Sequence, residues 1–350
     1  GGNTRLTFLS KRILRVEWSP DGRFEDRASF AFVNRNLPPA NLDGMEMGGT
    51  VGCTNGTFWV FYPACGSKQF AIDKIIISRP GGVGNPEATL AEWTPGTLPT
   101  RNLKGTTRTL DNVSGSCALE DGLRSRDGWT VIDDSRTLLL DGSSTDWPWA
   151  APRRHPDAVD LYFFAYGDDY RGALADFTKI AGKIPLPPRY VFGSWWSRYW
   201  AYSDAELKDI VRQFDEHDVP LDVLVIDMDW HLDGWTGYTW NKRYFPDSAG
   251  FLKWCKDNDL FVTLNLHPAD GVGKHEAMFH EFKAAMGITD KTCYRVPFDC
   301  TDRKYIENYF KFLHHPEEAK GVDFWWMDWQ QGNNTKIPGL DPLYWLNYLH

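Results

Sequence analysis

The sequence has no excess of basic residues. Its 350 residues contain 38 Lys and Arg against 47 Asp and Glu, which gives a formal net charge of −9 and a pI near 5.5. Because affinity for nucleic acid depends on clustered Lys and Arg, this balance argues against nucleic acid as a partner. Long apolar runs are absent too. None approaches the roughly 18 residues of a membrane helix, so we expect no membrane insertion.

Metal-binding cysteine motifs are also lacking. The six cysteines are scattered without a C-x-x-C pair, which predicts neither a zinc site nor a disulfide framework. We therefore expect no cysteine-bound metal, and we predict no cofactor. Neither the compartment nor the oligomeric state follows from the sequence.

Aromatic residues, in contrast, are abundant. They make up 15% of the chain, and 17 of them are Trp. Packing of the core accounts for most of these rings. Flat apolar faces beside polar groups also suit an amphipathic small ligand, so the composition favours a sugar or oligosaccharide as substrate.

The first part of the chain has the pattern of an all-β domain. Up to about residue 148, short alternating runs such as 12–18, 57–62 and 70–77 are separated by Gly, Pro, Asn and Asp. This spacing predicts antiparallel strands in a β-sandwich. A helix over 169–181 then leads into a stiff Pro-rich linker at 184–188. We place an N-terminal β-sandwich domain with its linking helix at 1–183 and a second domain at 184–350.

The second part repeats strand, loop and helix. Its predicted strands cover 190–196, 221–226 and 260–267 and a run that ends at Asp328. Apolar strands that alternate with helices indicate parallel pairing. No glycine-rich phosphate loop follows the first strand, which argues against a doubly wound sheet. The fold class is thus all-β plus α/β: a β-sandwich followed by a (β/α)8 TIM barrel, of which about the first four strands are present.

Polar side chains follow each of these strands. They are Arg198, Asp227 with Asp229, His267, and Asp328. In a β/α barrel the carboxyl ends of the strands form the catalytic face. We therefore take all five as candidate site residues, with Arg198 and His267 as candidates for substrate binding. His314 and His315 are predicted to lie at the surface.

Carboxylates in an aromatic-walled pocket suit cleavage of glycosidic bonds. Negative charge stabilises the oxocarbenium-like transition state, and a retaining enzyme uses one carboxylate as nucleophile. We expect Asp328 to be that nucleophile, kept ionised by a facing Arg or His. Asp227 and Asp229 are expected to accept hydrogen bonds from sugar hydroxyls. Trp230 and Trp326 are the predicted aromatic wall.

Two other classes of protein fit parts of the pattern. A metal-dependent hydrolase would use Asp227, Asp229, His231 and His267 as ligands, although the tight spacing of such sites is missing. A non-catalytic carbohydrate-binding protein would keep the aromatic residues and lose the acids. Asp227 and Asp328 argue against that alternative.

Five segments together carry a family resemblance. Two are loops of the first domain and three follow strands of the second: 102–110, 120–129, 197–203, 226–230 and 326–328. In order and spacing they resemble glycoside hydrolase family 31, the α-glucosidase family. The resemblance implies a β-sandwich on a (β/α)8 barrel, a retaining mechanism on α-linked sugars, and no metal. It also implies that Asp328 is the nucleophile and that Asp227 binds hydroxyls of the sugar at the cleaved end.

The sequence departs from this family at two places near the sugar. The usual Met-Asn-Glu after the nucleophile is Trp-Gln-Gln at 329–331, and the usual Asp-Pro of the third strand is His267-Pro268. The substrate therefore stays open among α-glucosides and the xylosides, galactosides, N-acetylgalactosaminides and sulfoquinovosides of relatives.

The chain itself is expected to be a fragment. It starts with Gly and stops at His350 inside an apolar segment. The resemblance places the general acid in the second half of the barrel, beyond His350. We accordingly expect little hydrolysis from residues 1–350 alone.

Overall fold

A computed structural model describes residues 3–37, 42–47, 49–63, 75–78, 93–142, 147–232, 234–328 and 332–350. The chain divides into two compact units, Gly1–Ile184 and Pro185–His350. We call them unit 1 and unit 2 and describe each by itself.

Unit 1 consists of antiparallel strands and one helix. The strands and the helix are β1 Thr4–Ser10, β2 Ile13–Trp18, β3 Asp43–Met47, β4 Thr50–Thr54, β5 Trp59–Pro63, β6 Ile76–Ser78, β7 Trp129–Asp133, β8 Leu139–Asp141, β9 Trp149–Ala151, β10 Val159–Ala165 and α1 Tyr170–Ala181. One sheet has the order β1-β2-β10-β7 and another the order β3-β4-β5-β6, while β8 and β9 form a two-stranded ribbon. Neighbouring strands are antiparallel throughout these sheets.

The two four-stranded sheets share one core. Leu14 of β2 and Phe163 of β10 pack in the same buried cluster as Val60 of β5. Alternation along β10 turns Tyr162 to the opposite face, where it packs in a second cluster with Ile180 of α1. Burying one such side chain contributes roughly 1.5–3 kcal/mol. The predicted β-sandwich is therefore confirmed.

A network of buried charges joins distant parts of unit 1. Asp160 accepts hydrogen bonds from Arg15 at 2.8 and 2.9 Å and from Arg35 and Arg153 at 3.0 Å each. Asp134 accepts from Arg35 and, at 2.7 Å, from Arg153. Burial opposes ionisation of Asp160, but its hydrogen bonds and the arginine charges outweigh burial and lower its pKa. Both carboxylates thus depend on the guanidinium groups around them.

Unit 2 alternates strands with helices. They are β11 Trp195–Trp196, α2 Asp204–Glu216, β12 Val223–Ile226, α3 Ser248–Asp257, β13 Phe261–Leu266, β14 Val272–Gly273, α4 Phe279–Met286, β15 Arg295–Val296, α5 Arg303–Tyr309, α6 His315–Glu318, β16 Phe324–Met327 and α7 Pro342–Leu349. Short helical turns lie at Arg189–Phe192, Met228–Trp230 and Pro268–Asp270, and a π-helical turn lies at Phe310–His314.

Four strands of unit 2 form one parallel sheet in the order β11-β12-β13-β16. Helix α2 connects the first pair and begins with a capping box, in which Ser203 and Glu206 bind each other's backbone N–H. Asp323 accepts a hydrogen bond from the Val262 amide at 2.8 Å and so ties the start of β16 to β13. The predicted parallel β/α arrangement with four strands is confirmed.

Two local predictions for unit 2 were wrong. The predicted strand 190–196 is a helical turn, Arg189–Phe192, followed by only two strand residues, because the backbone N–H groups of Val191 and Gly193 bond to carbonyls three residues earlier, at 3.1 and 3.0 Å. His314 was predicted at the surface, but it is fully buried, and its ring lies 4.4 Å from that of Trp325.

Within the described ranges, no helix combines the length and the apolar character that crossing a membrane requires.

Candidate active site

The carboxyl ends of three neighbouring strands bring the candidate side chains together. In the parallel register, Ile226 of β12 pairs with Leu264 of β13, and Leu266 of β13 pairs with Met327 of β16. The residues that follow these strands therefore meet at one edge. Because side chains alternate along a strand, Asn265 and His267 share a face with Asp328.

Asp328 lies at the centre of this cluster. Its Oδ2 atom is 3.1 Å from Nε2 of His267 and 3.4 Å from the amide nitrogen of Asn265. Its backbone N–H donates to the Leu266 carbonyl at 2.9 Å, which continues the strand pairing up to the acid itself. The side chain is 40% exposed. Asp328 is therefore held by its neighbours while it stays accessible to a ligand.

Asp227 is the buried carboxylate of the site. Its Oδ1 accepts a hydrogen bond from the Asn265 amide at 2.9 Å and from the Met228 backbone at 2.8 Å. Burial, together with the negative charge of Asp328, raises its pKa above the ordinary value of 3.8, although the Met228 bond acts in the opposite direction. The ionised form of Asp227 is thus less favourable in the folded protein than in water.

This raised pKa predicts a stability effect of the Asp227→Asn variant. Asp227 binds its proton more tightly in the folded than in the unfolded chain, so stability falls as the pH rises above the ordinary aspartate pKa. Asparagine keeps the acceptor oxygen without the charge. We expect the variant to melt a few degrees above the parent at pH 7, with the difference vanishing toward pH 3. Melting curves across this range are the test, and a variant that melts below the parent at pH 7 would contradict it.

The loop after β12 surrounds His267. The Thr236 hydroxyl donates to the His267 carbonyl and accepts from the Asp270 backbone N–H at 3.3 Å. The ring of Trp235 lies 4.2 Å from the imidazole, tilted by 45°. These contacts bury the imidazole and direct its Nε2 toward Asp328. The facing Arg or His expected beside Asp328 is His267.

The other predicted site residues differ in how they relate to this cluster. Asp229 sits in the helical turn after β12, and Arg198 lies on an exposed loop with its guanidinium 4.8 Å from the Trp200 ring. Trp230 is 1% exposed, and its indole N–H donates to the Asn265 carbonyl at 2.8 Å. Trp326 shares the face of Asp328 and is partly exposed. Of the two predicted wall residues, Trp326 therefore presents its ring and Trp230 supports the site from behind.

Two residues of the site escaped the sequence interpretation. Asn265 lies inside an apolar strand, but its position two residues before His267 puts both on one face, which is the signal that could have found it. Trp235 follows the strand by nine residues, and no pattern connects it with His267. Both result from tertiary contacts between neighbouring strand ends.

The four residues of the metal-hydrolase alternative do not form a ligand cluster in the structure. His231 is buried with its Nδ1 2.7 Å from the Leu232 carbonyl, and burial lowers its pKa. Across the described ranges, no three His, Cys, Asp or Glu side chains converge where they could hold a metal ion.

Comparison with known proteins identifies the family of the parallel β/α region. Residues 184–344 match the model of the family 31 glycosyl hydrolase TIM-barrel domain. The parallel β/α region of unit 2 is therefore part of that barrel. The barrel part of the chain, residues 184–344, belongs to glycoside hydrolase family 31.

Two of the similar sequences come from an archaeon and a bacterium. An α-xylosidase of Saccharolobus solfataricus is 26% identical over 168 residues, which cover 48% of this chain and 22% of the relative. Alpha-glucosidase 2 of Bacillus thermoamyloliquefaciens is 34% identical over 111 residues, which cover 32% of this chain and 14% of the relative. The matched segments thus span a minor part of these longer proteins.

Solved structures extend the likeness to both units. A family 31 dextranase of Flavobacterium johnsoniae, in complex with isomaltotriose, aligns with a TM-score of 0.60 at 16% identity over 93% of this chain and 45% of that one. A family 31 α-xylosidase from a soil metagenome, in complex with xylose, aligns with a TM-score of 0.60 at 14% identity over 96% of this chain and 56% of that one. At these identities the likeness establishes the fold, and the chain spans about half of each structure.

Proposed function

We propose that this protein is a retaining α-glycoside hydrolase of the α-glucosidase type, with Asp328 as its nucleophile. The observation that carries the proposal is the arrangement around Asp328. This partly exposed carboxylate follows the fourth strand and is hydrogen-bonded by Asn265 and His267. The Asn265 amide also donates to the buried Asp227. A nucleophilic carboxylate must be both accessible and held in orientation, and these contacts support both requirements.

The proposed reaction uses Asp328 as the nucleophile and a second group as the general acid. Asp328 attacks the anomeric carbon and forms a glycosyl ester while the bond to the leaving oxygen breaks. A general acid, which the family resemblance puts in the second half of the barrel, supplies the proton to that oxygen. Water then hydrolyses the ester and restores the original anomeric configuration. The negative charge at Asp328 stabilises the oxocarbenium-like transition state before the bond forms.

Binding of the sugar is assigned to the remaining groups at the strand ends. Asp227 accepts hydrogen bonds from hydroxyls of the sugar at the cleaved end, and Asp229 and Arg198 contribute at the rim. His267 contacts the sugar from beside Asp328, in the position where the family has an acid. The exposed ring of Trp326 supplies an apolar wall on the same face.

An α-xyloside is the second candidate substrate. The relatives of this chain include α-xylosidases as well as α-glucosidases. The two sugars differ only in the hydroxymethyl group of the ring, so the groups that hold the common hydroxyls would serve either. The departure from the family at 329–331 lies outside the described residues and gives no further preference.

The test is a panel of aryl α-glycosides. The protein is produced from its complete gene and assayed with the glucoside, xyloside, galactoside and N-acetylgalactosaminide, and the anomer of the first-released sugar is followed by NMR. We expect turnover of the glucoside or the xyloside, with release of the α-anomer. Release of the β-anomer would overturn the retaining mechanism. Binding of glycans without any turnover would favour the non-catalytic alternative.

A further inference from the structure

One buried amide lies between the two carboxylates of the site. The side-chain nitrogen of Asn265 is 2.9 Å from Oδ1 of Asp227 and 3.4 Å from Oδ2 of Asp328. Asn265 is itself only 1% exposed. A primary amide has two N–H donors, so one nitrogen can serve both acids at once.

The strand order puts Asn265 in this position. It belongs to β13, which lies between the strand that ends at Asp227 and the strand that ends at Asp328. Its register partner on β16 is Trp326, which precedes Asp328 by two residues and so lies on the same face of the sheet. A side chain on this face of the central strand reaches both neighbouring strand ends, which a residue on either outer strand does not.

The amide also counteracts the repulsion between the two acids. Asp227 and Asp328 carry like charges, and their proximity contributes to the raised pKa of Asp227. The Asn265 amide donates to both carboxylates and so lowers the electrostatic cost of holding them close together. Because the amide is neutral, it adds no positive charge to the site. The Asn265 oxygen, in contrast, is buried with no hydrogen-bond partner among the described residues. A leucine would avoid that cost, so packing alone does not account for the amide.

We propose that Asn265 is a positioning residue, which fixes the orientation of Asp328 for attack and of Asp227 for sugar binding through one bridging amide. The inference rests on the proposed glycosidase function. It assigns to Asn265 an effect on the chemical step that acts through Asp328, with no contact to the sugar required.

The kinetic test compares Asn265→Leu with a matched control on the same strand. Leucine keeps the volume and removes both donors. The control is Thr263→Val, which changes another buried polar residue of the same face whose hydroxyl has no hydrogen-bond partner among the described residues. In the protein made from its complete gene, we expect Asn265→Leu to lose about 10²-fold in kcat and to raise KM by about threefold, because Asp328 and Asp227 both lose their donor. Thr263→Val should retain the kcat of the parent.

Two kinetic outcomes would overturn the inference. The first is a kcat of Asn265→Leu equal to that of Thr263→Val. The second is a raised KM with unchanged kcat, which would make Asn265 a binding residue. If the Asp328→Ala variant proved as active as the parent, the proposed function would fail instead.

A melting experiment tests the bridge without any activity. Asn265→Leu is compared in the parent and in an Asp227→Ala background. The bridge predicts a smaller loss of Tm in the second background, because only one carboxylate then loses its donor. Equal losses of Tm in both backgrounds would overturn the inference, even if the protein hydrolysed none of the glycosides.

Discussion

Replacing Asp328 with Ala is expected to lower kcat by about 10³-fold or more on the best aryl α-glycoside, because covalent catalysis is lost with the nucleophile. The fold should survive the change. The side chain is 40% exposed, and truncating it removes a like charge from beside Asp227. Steady-state kinetics and melting curves on the same preparations separate the two effects.

A small anion gives this prediction a positive readout. Azide can occupy the space left by the carboxylate and attack the anomeric carbon from the same side, which yields a β-glycosyl azide as the phenolate leaves. We expect azide to restore turnover to Asp328→Ala and not to raise the rate of the parent. The matched control is Asp323→Asn at the other end of the strand, which keeps the acceptor for the Val262 amide. It should retain activity, and an equal loss in both variants would contradict a catalytic role for Asp328.

Replacing Arg35 with Met is expected to lower the free energy of unfolding of unit 1 by about 3–5 kcal/mol, the usual consequence of removing one partner from a buried charge network. Arg35 donates to both Asp134 and Asp160, and none of these three side chains is more than 4% exposed. The two carboxylates would keep Arg153 but lose a shared counter-charge in a site that water does not reach.

An exposed arginine of the same unit is the control. Arg27 pairs with Glu25 at 2.7 Å and with Asp141 at 3.2 Å, but its side chain is 40% exposed. Arg27→Met should therefore cost at most about 1 kcal/mol. Denaturant unfolding of both variants provides the comparison. A loss below about 1 kcal/mol for Arg35→Met would show that the network contributes little to stability.

The sequence predicted those features that depend on local pattern. Alternation predicted the β-sandwich, and strands that alternate with helices predicted the parallel sheet of unit 2. The position of Asp328 after an apolar strand predicted its place at the strand ends. These predictions succeed because the period of the apolar residues and the parallel order of the strands determine where a strand-terminal side chain lies.

The features that the sequence did not predict depend on contacts between distant segments. The buried network joins Arg15 to Asp160 across 145 positions, a pairing set by the antiparallel register of unit 1. Trp230 was expected on the pocket wall, but the helical turn after β12 directs its indole to the Asn265 carbonyl. Asn265 reaches both acids only because its strand lies between the strands that precede Asp227 and Asp328.

Trapping the covalent intermediate tests the central claim most directly. A fluorinated α-glycosyl fluoride, whose ring fluorine slows breakdown of the glycosyl-enzyme, is incubated with the protein made from its complete gene before trypsin digestion. The peptide 321–336 contains only two carboxylates, Asp323 and Asp328. We predict that mass spectrometry finds the sugar on this peptide and that fragmentation places it on Asp328. A sugar on Asp227 or on another residue, or turnover with no labelled peptide, would contradict the account.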